Sequence, residues 1–321
     1  MFTRVRVVGA VLTVLLMLGL AVDAAAATWV KLSPATSPPG RILPMMAYDP
    51  VSKKIVLFGG LDSGYFGDTW TFDGSNWTQL QPAVSPSART NTQMAYDKVT
   101  HKLVLFGGWD GANYLRDTWL WDGATSTWTQ ANPGSSPPGM VGTLMFTDPK
   151  TGHVIAFGGY DGHVYQSSTW RWTGTTWKLL TTTDAPSGRS CATYGLDPKR
   201  KSVVIFGGLA KINPINTWTW DGSNWTQQNP VDQLPYRYCG AGAYDAGLKG
   251  VVSFGGGIGG PDLRDTWLWD GTDWQQVTTR KSPPPREAMG IAFDAALGHV
   301  IVFGGLKNSK FTLDDTWELR P

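Results

Sequence analysis

Charge is scarce in this chain. Lys, Arg, Asp and Glu supply 16% of its 321 residues, and Glu287 and Glu318 are its only glutamates. So little charge cannot clothe the exposed faces of a helical bundle, which argues against an all-α fold. The formal net charge is +2, and it falls to +1 without Arg4, Arg6 and Asp23. A nearly neutral chain has no electrostatic footprint for nucleic acid or anionic lipid, so neither is expected as a partner. The four histidines, His101, His153, His163 and His299, are scattered, and Cys191 and Cys239 are the only cysteines. No metal-ligand spacing, nucleotide loop or Gly-x-Ser-x-Gly turn is present, so neither a metal nor a cofactor is expected. Long apolar runs are also few. Residues 7–22 form an uncharged stretch, shorter than the roughly 20 residues that span a bilayer. It follows Arg4 and Arg6 and precedes the small residues 24–27. Residues 1–27 therefore read as a signal peptide, cleaved after Ala26 or Ala27. The mature chain, 28–321, is expected to be secreted or periplasmic, without a membrane span.

What the chain has in abundance is glycine (39), proline (21) and tryptophan (17). The triplet Phe-Gly-Gly begins at Phe58, Phe106, Phe157, Phe206, Phe254 and Phe303, at intervals of 48, 51, 49, 48 and 49 residues. So even a period means one folding unit copied six times, in a single domain over 28–321. In the second unit, residues 89–96, 102–106, 117–121 and 127–130 read as four strands, with Asp122-Gly123 turning between the last two. Four short antiparallel strands make a small twisted sheet, and copies stacked radially bury both faces of each sheet. A turn Asp lies nine residues before every Phe-Gly-Gly, and a Thr-Trp marks every third strand.

The two ends of the chain complement each other. After Trp317 only four residues remain, too few for a fourth strand. Thr28-Trp29-Val30-Lys31-Leu32 matches Asn76-Trp77-Thr78-Gln79-Leu80, a fourth strand, so the N-terminal strand is expected to complete the last sheet and close the ring.

The paired glycines after an apolar strand, the third-strand Trp, and the Pro-rich loops ending in Arg resemble the Kelch family across 28–321. That resemblance implies an all-β, six-bladed Kelch-type propeller, four antiparallel strands per blade, of the galactose-oxidase central-domain kind and the exported bacterial type. The Asp-Thr-Trp of the third strand departs from the common Kelch pattern, and the copper ligands of galactose oxidase have no counterpart here.

In such a blade the loops after Phe-Gly-Gly and those joining consecutive blades share one face. They are longer and less regular than the Asp turns opposite, and function concentrates on variable loops held by a rigid scaffold. Of the 17 tryptophans, 16 fall at repeated strand positions; Trp109 alone lies in a long loop, near Asp110 and Tyr114. The next loop has Tyr160, Asp161 and Tyr165. Aromatic rings beside Asp suit a sugar, which offers a C–H face and hydroxyls, although the same rings can pin loops to blades. Arg41, Arg89, Arg189, Arg237 and Arg286 each lie 17 residues before their Phe-Gly-Gly and are expected near one channel mouth. They either hold an anion or pair with the Asp of their own Asp-Thr-Trp. The third unit lacks both partners (Met140, Ser168), while the fourth keeps Arg189 opposite Asn216. Arg189 and Arg237 are carried forward as rim candidates. Cys191 and Cys239 occupy equivalent positions of adjacent units and invite a disulfide in an exported chain.

These features favour a secreted, non-catalytic module that binds a glycan or a partner protein on its long-loop face. The alternative is a sugar-acting enzyme, because the chain also resembles the exported Kelch proteins that epimerise sialic acid. In that reading Glu287, beside Arg286, is the candidate acid or base.

Overall fold

A computed structural model describes residues 27–212, 214–308 and 310–321. The leader expected at 1–27 lies, except for Ala27, outside the described residues. Among the described residues, no helix is long and apolar enough to cross a membrane.

Six four-stranded antiparallel sheets form the blades. Blade 1 runs Met45–Asp49, Lys54–Phe58, Thr69–Phe72 and Trp77–Leu80, and the next four blades repeat that order. Blade 6 contains Gly290–Asp294, His299–Phe303 and Thr316–Arg320, and its outer strand is Thr28–Lys31, with Trp29 opposite Leu319. The innermost strands touch their neighbours all round, including those of blades 1 and 6, so the ring is closed. A short hairpin, Leu306–Lys307 with Phe311–Thr312, rises from the sixth long loop.

In blade 2 the second strand, Lys102–Phe106, has the bounds expected from its apolar run. The first strand does not: residues 89–96 read as extended, but after an isolated bridge of Thr90 with Trp109 the continuous ladder begins at Gln93. Arg89 turns its side chain into the blade, and Asn91 takes a left-handed conformation (φ 54°) that breaks the strand.

The repeated residues are the joints between blades. Each fourth-strand Trp donates its indole N–H to the third-strand Thr of the preceding blade. Trp77 reaches Thr316 at 2.9 Å, Trp128 reaches Thr69 at 3.0 Å and, across the closure, Trp29 reaches Thr266 at 3.0 Å. The indole thus brings apolar area to the interface and leaves no unpaired buried donor. The Phe-Gly-Gly turn supplies the second joint. The amide of Gly60 donates to the carbonyl of Arg89 at 2.9 Å, and a Cβ on Gly59 (φ 68°) would stand 2.6 Å from that same oxygen. Only glycine allows this approach.

The Asp of Asp-Thr-Trp supplies a further tie, within its own blade. Arg89 Nη1 and Nη2 donate to Asp117 at 2.6 and 2.8 Å, and Trp119 Nε1 donates to the same carboxylate at 2.7 Å. Arg41–Asp68, Arg237–Asp265 and Arg286–Asp315 repeat the fork. Blade 3 substitutes consistently: Met140 is buried where the others have Arg, and Trp170 donates to Ser168 Oγ. Blade 4 does not. Arg189 Nη2 bonds Asn216 Oδ1 at 3.0 Å, and Trp218 Nε1 is left buried with no partner.

Candidate functional site

The long loops of blades 1–3 are shingled. The ring of Tyr65 lies over Gly111 of the next loop, and that of Tyr114 over Gly162. A Cβ at either glycine would come within 2.8 or 2.6 Å of the overlying ring. Trp109 packs on Tyr114 at 4.7 Å between centroids, Tyr114 meets Tyr160 edge-on at 6.0 Å, and Tyr160 packs on Tyr165 at 4.9 Å. Four of the six loop residues singled out in the sequence therefore form one continuous aromatic arc.

The two aspartates of that set serve their own turns. Asp110 Oδ1 accepts the amides of Ala112 and Asn113, which hold its carboxyl below the usual range. Burial pushes Asp161 up, but the amides of Val164 and His163 and the Gln166 side chain outweigh it and leave the carboxyl lowered. Both stay ionised at neutral pH and fix the loops that carry the rings.

The shingle stops at blade 4. Where Asp110-Gly111 and Asp161-Gly162 stand in the preceding loops, this loop has Ala210-Lys211. It has neither the Asx-turn acceptor nor the glycine that lets a ring lie flat above it. Tyr165 is left uncovered on that side, and a cleft of about 690 Å³ opens. Tyr160, His163, Val164 and Tyr165 form one wall, Lys211 and Ile212 the other, with Ser187 and Gly188 also lining it. Desolvation keeps the Tyr165 hydroxyl above its ordinary range, so it remains a donor at neutral pH.

The arginines lie elsewhere than the sequence suggested. The channel cavity, about 100 Å³, is lined at this end by Leu43, Asn91, Cys191, Cys239 and Ala288. Arg237 is fully buried and forked onto Asp265, with both nitrogens at 2.9 Å, so it joins strands rather than facing the channel. Arg189 is also fully buried, and desolvation lowers it to about 10. It lies under the cleft, holding Ser187 through the carbonyl at 3.0 Å and the hydroxyl at 3.1 Å.

Glu287 occupies a separate nook between blades 5 and 6. Gly257 stands where other blades have Leu61, Trp109, Tyr160, Leu209 and Leu306, and the Glu287 carboxylate fills the vacated space beside the Tyr238 ring. Its Oε2 is buried without a partner, and burial, aided by the charge of Asp262, raises its pKa. Sequence reasoning found Glu287 by its rarity and missed Tyr238, Gly257 and Asp262. It also missed Lys211 and Ile212; the only signal was the absence of Asp-Gly from the fourth loop.

A family model described as the KLHDC2/KLHL20/DRC7 Kelch-repeats domain matches residues 18–178. No curated protein matches the chain in sequence. Many solved structures are similar, among them the structure of YjhT, with a TM-score of 0.71 and 15% identity over 90% of this chain and 99% of that one. At that identity the likeness establishes the propeller and nothing finer.

Proposed function

The chain belongs to the Kelch-repeat family, and on that footing we propose that its propeller is an extracytoplasmic, non-catalytic module that binds a glycan in the cleft beside Tyr160 and Tyr165. One observation carries this reading: the tyrosine-on-glycine shingle ends at Lys211 and leaves the Tyr165 ring free above a cleft of about 690 Å³. The residues around it suit a sugar. Phenol rings stack on a C–H face, while Tyr165, Ser187, His163 and Lys211 offer polar atoms at the edge. The extracytoplasmic setting is supported by the leader-like composition of residues 1–27.

The test is a glycan-array screen of residues 28–321, the span of all six blades, beside Tyr165→Ala and Trp109→Ala. Truncating Tyr165 uncovers roughly 60 Å² of stacked surface at about 25 cal/mol per Å², a loss of about tenfold in affinity. Trp109→Ala removes support from the arc and weakens binding less. Absence of binding to every glycan, or binding indifferent to Tyr165, overturns the reading.

A second reading, turnover of a sugar, is favoured by Glu287 alone, whose unpaired buried Oε2 and raised pKa suit an acid–base group. It requires a sugar anomerisation or epimerisation that Glu287→Gln abolishes and Trp109→Ala spares. Conversion equally fast in the Gln variant rejects it.

A further inference from the structure

Six equivalent residues, one per blade, surround the channel mouth: Leu43, Asn91, Gly142, Cys191, Cys239 and Ala288. All are left-handed, with φ between 47° and 61°. Five backbone hydrogen bonds tie them blade to blade: Leu43 to Ala288 (2.6 Å), Ala288 to Cys239 (2.9 Å), Cys239 to Cys191 (2.7 Å), Cys191 to Gly142 (2.9 Å) and Gly142 to Asn91 (3.1 Å), amide first in each pair. Both cysteines of the chain therefore sit side by side on this ring and are directly bonded through their backbones.

The geometry sets their side chains at neighbouring positions of one channel. Neighbours on a sixfold ring whose side chains point toward the axis converge, because the spacing between equivalent atoms shrinks with their distance from the centre. Both cysteines line the same channel cavity. Cys191 Sγ also faces Asn91 Oδ1 across the mouth at 3.7 Å. A direct backbone hydrogen bond keeps the two Cα atoms inside the roughly 7 Å limit for a disulfide.

We propose that Cys191 and Cys239 form a reversible covalent staple between blades 4 and 5, closed by thiol–disulfide exchange with a small-molecule disulfide. The Cys191 thiolate attacks one sulfur of the oxidant, forming a mixed disulfide and releasing one thiolate. Cys239 then loses its proton and attacks the Cys191 sulfur, releasing the second. The protein gives up two protons and two electrons, and the oxidant is reduced to two thiols. The Cys191 thiol and burial hold the Cys239 thiol well above its ordinary range, so the closing step accelerates as pH rises.

The test uses residues 28–321, reduced and then incubated with oxidised glutathione. Intact mass, thiol titration and the melting temperature are read before and after dithiothreitol. The expected result is a mass lower by two hydrogens, joint loss of both thiols, and a melting temperature higher by roughly 5–10 °C, all reversed by the reductant. Cys239→Ser, which folds with the ring backbone intact, keeps a glutathione adduct on Cys191 and gains no thermal stability. Persistent glutathione adducts on the parent chain, or two thiols that stay titratable in the folded protein, overturn the proposal.

Discussion

Asn216→Asp should stabilise this protein, although it adds a charge next to a fully buried residue. Arg189 is the one blade arginine with no carboxylate across from it. Desolvation lowers it to about 10, a burial cost of about 3 kcal/mol. The amide at Asn216 gives its only oxygen to Arg189 and has no second acceptor for the Trp218 indole, whose Nε1 is orphaned. An aspartate there completes the arrangement seen at Asp265, which takes both Arg237 nitrogens at 2.9 Å and the Trp267 indole at 2.6 Å. A charge-assisted bond returns about 1.5–3 kcal/mol, and pairing the orphan indole returns about 1 kcal/mol more. Part of this is offset by desolvating the new carboxylate, which Asp265 limits by staying 20% exposed. The net gain is about 1–3 kcal/mol, or a melting temperature higher by roughly 2–6 °C at pH 7.

The pH dependence separates this mechanism from a general packing gain. At Asp117, burial raises the carboxyl, but the hydrogen bonds and charge of Arg89 outweigh it and leave the pKa lowered; Asp315 behaves in the same way with Arg286. A carboxylate depressed in the folded state contributes stability above its unfolded pKa of about 3.9 and loses it as pH falls through the lower folded value. The Asn216→Asp gain should therefore be full at pH 7 and shrink as pH falls below the unfolded value of about 3.9, read by calorimetry at matched scan rates. An unchanged or lower melting temperature at pH 7, or a gain that stays equal as pH falls, refutes the reasoning.

Asp117→Asn should impose the blade 4 defect on blade 2, leaving Arg89 without a carboxylate and the Trp119 indole without an acceptor, at a cost of about 1–3 kcal/mol by thermal or denaturant unfolding. Glu287→Gln should stabilise the fold at neutral pH. Burial raises the folded pKa of Glu287, so the parent loses stability as pH rises from the unfolded value through the folded one, and a matched pair of stability–pH curves should differ there. Ala210→Asp with Lys211→Gly should rebuild the turn and extend the shingle over Tyr165, abolishing glycan binding while the melting temperature holds; retained binding places the ligand elsewhere.

The architecture was legible because it is written six times. Phe-Gly-Gly and Thr-Trp each specify a joint that recurs in every blade, and the match of Trp29 with Trp77 specified ring closure. Strand starts were less legible: the left-handed break at Asn91 depends on the inter-blade ring, a contact distant in sequence. The candidate site was legible in half. Trp109, Tyr114, Tyr160 and Tyr165 stood out by residue type, but the cleft exists because of what Lys211 replaces, and that is visible only once Tyr65 and Tyr114 are seen lying on their glycines.

Apart from the matched loss of Arg and Asp in blade 3, the departures from the repeat share one sector. Cys191, Lys211 and Asn216 belong to blade 4, Cys239 and Gly257 to blade 5, and Glu287 to the entry of blade 6. Each gives up something the other copies have: a full Arg–Asp fork, a covered tyrosine, a filled position after Phe-Gly-Gly. Departures that only relaxed an unused scaffold would scatter round the ring, and their local losses would come without a new feature. Here two of the losses coincide with one, a cleft at Lys211 and an isolated carboxyl at Gly257, and both cysteines stand next to each other on the channel ring of the same sector. The regular blades 1 and 2 then act as the rigid part of the ring, and the part that gave up regularity is where ligand chemistry is to be sought.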